Sequence, residues 1–392
     1  MGRDERIVIL GAGSTGSSIA YHLSKITKSE IVLVDKGGIA SGMTSLSTAI
    51  VRTHYSNEIV AKMAFESRKI FESQSQDFGF HRSGLVTVVP KPMKGRMDEN
   101  VAMLRKIGIR EESLTMNDAI KRFPWIKFNA DEAISLEPDS GYADPVLTAN
   151  YFARYAIDSG VKFLKEEVSK IEENNGHGKV IFRSGREIEG SKLVLCTNIW
   201  TNKILGESGF GSSDLLPLKV SPHPVIIYRR PKGISGLLPV VNDLVNRDYY
   251  KPEGGTLLSG GNLRSEIDEA DEDPDNPPVE VPFDYISDYS ERISGRIPQM
   301  KNAEYHSSYY GMYDNTPDLH PIIDNLSDLG LPHFYSCVGL SGHGFKLSPS
   351  FGRMVANMVT LNTDPVLEYF KLSRFKNGTS VFKTYQGIGT VG

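Results

Sequence analysis

The residues with chemical potential gather near the two ends of this 392-residue chain. Close to the start, Gly11-Ala12-Gly13-Ser14-Thr15-Gly16 follows the apolar run Arg6–Leu10 and leads into SSIAYHLSKI. In that segment Ile19, Ala20, Leu23 and Ile26 recur at helical spacing. Gly11 permits a tight turn, Gly13 lets the backbone approach a diphosphate, and Gly16 allows helix and strand to pack closely. The first N–H groups of the helix, with the positive end of its dipole, then face the phosphates. A second apolar run at 31–34 ends at Asp35, whose carboxylate suits adenosine ribose hydroxyls and repels a 2′-phosphate. This is dinucleotide chemistry; the motif alone leaves FAD and NAD both open. Near the other end, GLSGHGFK at 339–346 forms a second glycine-rich turn, whose backbone N–H groups suit a flat, electron-rich group.

Both turns need strands and helices to hold them. A helix is predicted within 51–80, a strand at 83–89, a helix at 145–159 and a strand near 161–164. A meander follows through 179–188, then a buried strand, KLVLC, at 192–196. Residues 222–228 and 256–259 read as strands of a separate antiparallel sheet, 334–336 as a strand, and 349–361 as a closing helix. The acidic, proline-rich piece SEIDEADEDPDNPPVEVP reads as an exposed loop rather than a cation site. The fold class expected is α/β (α+β overall).

Composition narrows the class further. At 39% hydrophobic and 23% charged, with no stretch able to span a bilayer, the chain reads as an ordinary globular protein of at least two domains. A net charge of −4 gives no reason to expect nucleic acid. Cys196 and Cys337 have neither disulfide-scaffold nor metal-site spacing, so no metal is expected. Arg6 stands where a myristoylation motif wants Ser or Thr, and no apolar signal core precedes the first strand. A cytoplasmic setting is the expectation.

Several further segments occur in a telling order: STAIVRTHY at 47–55, GYADP at 141–145, the strand end TNIW at 197–200, and YDNTPD at 313–318. With the two glycine turns and Asp35, they make nearly the whole chain resemble the D-amino-acid oxidase superfamily of flavoproteins. Its sarcosine oxidase and dimethylglycine or proline dehydrogenase branch is the most similar. The resemblance implies a discontinuous Rossmann-like FAD domain (1–82, 141–218 and 312–375). An inserted antiparallel-sheet substrate domain (83–140 and 219–311) and a tail (376–392) complete the expected organisation. It implies hydride removal from the carbon beside the nitrogen of a small amine or N-substituted amino acid, with an imine product that hydrolyses. The partners implied are that substrate and an electron acceptor, oxygen or another carrier. Alternatives are an FAD-binding subunit of a hetero-oligomeric dehydrogenase, or a related flavoprotein acting on a hydroxy acid such as glycerol 3-phosphate. An NAD-dependent dehydrogenase would leave the C-terminal segments unexplained.

Carried over residue by residue, the resemblance gives Arg52 and Lys346 the substrate carboxylate, which a guanidinium fork fits well. Tyr313 and Tyr250 become pocket walls, and His54 faces the pocket if its segment is extended. The expected FAD contacts are Gly11, Gly13, Ser14, Thr15, Gly16, Asp35, Lys36, Thr44 and Ser45. Val168, Thr197, Trp200, Gly311 and Met312 extend the set, with Gly339, Gly342, His343, Gly344, Phe345 and Lys346 at the ring edge. The chain departs from the family pattern at three places. Gly311 replaces a flavin-linking cysteine, so non-covalent FAD is expected. Asn198 replaces a glycine before Trp200. Ser259 pairs with an oxygen-activating lysine, which favours a dehydrogenase.

Overall fold

The computed structural model describes residues 5–234, 236, 238–262, 270–361 and 364–376. Gly2, the first five residues of the acidic piece (265–269) and the tail from 377 lie outside the described residues.

The strand that opens the chain, Arg6–Leu10, sits inside a six-stranded sheet. From edge to edge this sheet runs Ile322–Asn325, Phe334–Val338, Lys192–Leu195, Arg6–Leu10, Glu30–Asp35 and Lys162–Lys165. All its pairings are parallel except that of the edge strand Ile322–Asn325. Its strands are nearly uninterrupted apolar runs because both faces are covered. Ile7 and Ile9 pack into the layer built with helices Ser14–Ile26 and Gly344–Val359. Val8 and Leu10 pack the other way, against Ile171, Val180 and Phe182 of the three-stranded meander.

A second, eight-stranded sheet is ordered Tyr305–Asn315, Lys219–Arg229, Leu257–Asn262, Asp248–Glu253, Val240–Asp243, Leu85–Pro90, Glu132–Glu137 and Glu112–Leu114. Its outer face is roofed by the helix Phe283–Arg296, through Val86, Ile226, Val241, Tyr250, Tyr289 and Ile293. The guanidinium of Arg296 ties that helix to two strands. It meets Glu132 at 2.7 and 2.8 Å and Asp243 at 2.7 and 3.0 Å, with all three side chains buried.

Most predicted elements appear within a few residues of their expected bounds, including Pro145–Asp158, Leu85–Pro90 and Lys192–Leu195. The closing helix differs. It starts at Gly344, five residues ahead of the proline expected to open it, and carries Pro349 inside. Proline removes one intrahelical bond, but the residues from Gly344 to Gly352 are all buried, and packing keeps the helix continuous. The strand Tyr305–Asn315 runs without a break through residue 312 and pairs with Lys219–Arg229 along its whole length.

Candidate active site

A cavity of about 530 Å³ is lined from both sheets. At one end stand Gly11, Gly13, Ser14, Thr15 and Gly16, with Asp35, Lys36, Thr44, Val168, Thr197 and Trp200 also in the lining. The turn is tight: a Cβ on Gly16 would lie 1.9 Å from the Gly11 carbonyl oxygen. The helix behind it begins at Ser14, with Gly13 giving no side-chain cap and no acid in its first turn, so its dipole faces the cavity uncompensated. The buried Thr15 hydroxyl has no protein partner. Asp35 also organises this end, accepting from the N–H groups of Ala12 at 2.9 Å, Gly37 at 2.8 Å and Gly38 at 3.0 Å.

The other end is built around the second glycine turn. Gly342, Gly344, Phe345 and Lys346 line it, facing Gly311, Met312 and Tyr313. Gly342 takes φ +77°, and a Cβ there would come within 2.6 Å of the Tyr313 ring. Here too the helix starts without a side-chain cap or a first-turn acid. The turn is fastened from behind by Asp314, which accepts from the N–H of Gly339 at 2.6 Å and of Leu340 at 3.0 Å. Burial pushes the Asp314 carboxyl up to about 7, against the pull of those N–H donors. Asn198 adds a third bond to it at 2.8 Å and adopts φ +47°. The glycine replacement is thereby explained: asparagine tolerates the left-handed conformation and contributes a tie that glycine lacks.

Two cations stand at this end. Lys346 is 8% exposed, donates at 2.9 Å to the Gly342 carbonyl, and is held well below the ordinary lysine range by burial and then by the Arg52 charge. Arg52 lies 4.1 Å over the Tyr55 ring and donates to the His54 carbonyl. Both line the cavity. A half-buried arginine beside a buried lysine makes a strong anion site.

Five expected site residues lie elsewhere. Tyr250 points away: strict alternation along Asp248–Glu253 sends its side chain into the core under the Phe283–Arg296 helix, 2% exposed. The tyrosine on the cavity side is its neighbour Tyr249, hydrogen-bonded to Thr48. His54 is buried between Glu111, 3.0 Å from Nδ1, and Asn100, 3.1 Å from Nε2, and does not line the cavity. Ser45 turns its hydroxyl onto the Gly42 carbonyl at 2.9 Å, and Gly339 stands behind the wall on Asp314. His343 packs behind as well, with Nδ1 2.9 Å from the Tyr55 hydroxyl.

Ser259 is likewise inside the sheet, opposite Lys251 and bonded at 2.9 Å to Glu253. Away from the cavity lining, Ser259 does not favour a dehydrogenase over an oxidase. His223 was missed by the sequence reading. Its ring stacks 3.7 Å from that of Tyr313 inside the cavity, and nothing in the segment SPHPV marks it. The described part of the acidic piece is a mostly exposed loop, as expected, and one of its acids is nevertheless engaged. Its Asp275 lines the cavity, accepts from the Trp200 indole at 2.8 Å, and pairs with Lys203 and, at 3.9 Å, Lys36.

A chain that points two helix starts and two glycine turns into one cavity is built for a dinucleotide with a flat ring system. The family described as "FAD dependent oxidoreductase", DAO, matches residues 6–358, and the chain belongs to it. FAD is its cofactor. Among curated proteins, FAD-dependent oxidoreductase domain-containing protein 1 of Bos taurus is 25% identical, with 95% of this chain and 85% of that protein covered. Peroxisomal sarcosine oxidase of Mus musculus is 26% identical, covering 94% and 95%. Among solved structures, L-proline dehydrogenase from P. horikoshii superimposes with a TM-score of 0.85 at 24% identity, over 96% of this chain and 99% of that one. The chain is thus an FAD-dependent oxidoreductase. No helix among the described residues is long and apolar enough to cross a membrane.

Proposed function

We propose that this flavoenzyme oxidises a small amino acid or N-substituted amino acid, of the sarcosine, dimethylglycine, proline or glycine type, at its α-carbon. One observation carries the reading: the buried Lys346 and the half-buried Arg52 line the same cavity, and their like charges oppose each other until an anion relieves them. A substrate α-carboxylate supplies that anion and fixes the α-carbon beside the second glycine turn. Tyr313, Tyr249 and His223 wall the space around the substrate nitrogen. Bound FAD would supply the two-electron acceptor for the hydride that leaves the α-carbon. The Gly11–Gly16 turn would hold its diphosphate, and the 342–346 helix start its ring edge. That helix start favours negative charge on the reduced ring. No protein base is needed if the amine binds neutral, because its lone pair assists hydride departure and the imine then hydrolyses in water.

We also propose that FAD is held without a covalent link, since Gly311 offers no thiol. Burial pushes the thiols of Cys196 and Cys337 up, away from a reactive thiolate. In this reading the six-stranded sheet carries the cofactor and the eight-stranded sheet faces the substrate.

The test is anaerobic reduction of the flavin-loaded protein by a panel of N-methyl and cyclic amino acids. Their decarboxylated amines, an α-hydroxy acid and glycerol 3-phosphate serve as further arms. Bleaching by amino acids and much slower bleaching by the matched amines is expected. Equal rates with and without the carboxylate would refute the reading, and reduction only by the hydroxy acids would redirect it.

A further inference from the structure

Arg52 is held from both sides of the molecule. Behind it, the carboxylate of Glu137, at the end of a strand of the eight-stranded sheet, accepts from the Thr53 N–H at 2.9 Å and the His54 N–H at 3.0 Å. It also accepts from the Thr53 hydroxyl. Glu137 is fully buried. These bonds fix the backbone whose His54 carbonyl receives the Arg52 guanidinium. In front, the guanidinium lies on the ring of Tyr55, and the Tyr55 hydroxyl meets His343 Nδ1 at 2.9 Å. His343 belongs to the second glycine turn, so that turn and the far sheet grip the same four residues.

A carboxylate buried so completely is costly unless each oxygen is satisfied. Here three donors from the segment that carries the arginine meet it, opposing burial and the Glu111 charge, which push this carboxyl up. We propose that Glu137 and Tyr55 are positioning residues: they hold the Arg52 guanidinium in the orientation that receives the substrate carboxylate. Neither touches the substrate. The inference rests on the carboxylate reading of Arg52.

Preorganisation of this kind acts on the anion and not on the rest of the ligand. The test uses the flavin-loaded protein and two isosteric probes, cyclopentanecarboxylate and the neutral cyclopentanecarboxamide, with binding read from perturbation of the flavin spectrum. In Glu137→Gln, one oxygen becomes a donor facing backbone N–H groups. Carboxylate binding should weaken about tenfold, a loss in the range of one charge-assisted hydrogen bond, while amide binding and flavin content stay as in wild type. Glu137→Asp should recover part of the loss. Tyr55→Phe keeps the ring, frees it from His343, and should weaken the carboxylate alone by about threefold. If Glu137→Gln folds poorly, Tyr55→Phe decides by itself. Unchanged carboxylate binding, or equal loss of both probes, overturns the inference. Arg52→Ala separates the two claims: if it binds the carboxylate normally, the reading of Arg52 itself fails. If it loses the carboxylate while the Glu137 and Tyr55 variants do not, only the positioning role fails.

Discussion

Lys346 shows how burial turns a common side chain into a device. In the free protein its amine is pushed well below the ordinary 10.5, so it is charged over a narrower acidic range than a surface lysine. Burying the charged form costs the fold stability below the folded-state value. That cost fades as pH rises and is gone above the unfolded value. An anion reverses the preference. Carboxylate binding should therefore take up a proton in weakly buffered alkaline solution, and apparent affinity should fall as pH rises. Lys346→Met should abolish the uptake, and calorimetry in buffers of different ionisation enthalpy measures it. Arg52→Ala should raise KM far more than tenfold, on the order of 2–3 kcal/mol for a lost charge-assisted contact. The two adjacent tyrosines give the opposite pair of outcomes. Tyr249→Leu should impair substrate affinity. Tyr250→Phe should leave activity intact and shift stability by less than about 1 kcal/mol, because the Tyr250 hydroxyl is buried without a partner. Alternation made it certain that one of this pair would face each way. Which one faces the cavity depends on which face of the sheet the Phe283–Arg296 helix covers, and that is set by tertiary packing.

At the scale of elements, the two glycine turns were legible because glycine types and spacing report backbone demands directly. Gly342→Ala tests this. The added methyl meets both a left-handed φ and the Tyr313 ring, so the variant should lose flavin without unfolding, as read from the flavin-to-protein absorbance ratio. The helix after the second turn was placed too late because Pro349 looked like a first-turn residue. The buried face that overrides its local effect belongs to tertiary packing. That His343, Gly339 and Ser45 stand outside the cavity lining was equally invisible, since a motif shows which residues surround a ligand but not which of them turn their backs on it. At this scale, acid precipitation should release all of the flavin into the supernatant. Flavin retained on the precipitate would contradict the non-covalent proposal.

The whole molecule joins a mostly parallel sheet to a mostly antiparallel one across a cavity. Strand alternation and apolar runs made both sheet types legible. Their meeting was not, because long-range pairs such as Glu137 with Thr53, or Asp275 with Trp200, carry no local signal. Arg296 is the clearest case. It is an unremarkable helical arginine by sequence, yet it locks the outer helix to two strands through four hydrogen bonds to buried carboxylates. Arg296→Ala should destabilise the protein by about 3–5 kcal/mol by leaving two acids uncompensated, measurable by denaturant unfolding.

The most direct measurement is an experimental structure of the flavin-loaded protein with cyclopentanecarboxylate bound. The diphosphate should rest on the Gly11–Gly16 turn and the flavin ring edge on residues 342–346, with the carboxylate between Arg52 and Lys346. A ring bound away from the second turn, or a carboxylate seated away from both cations, would contradict the account.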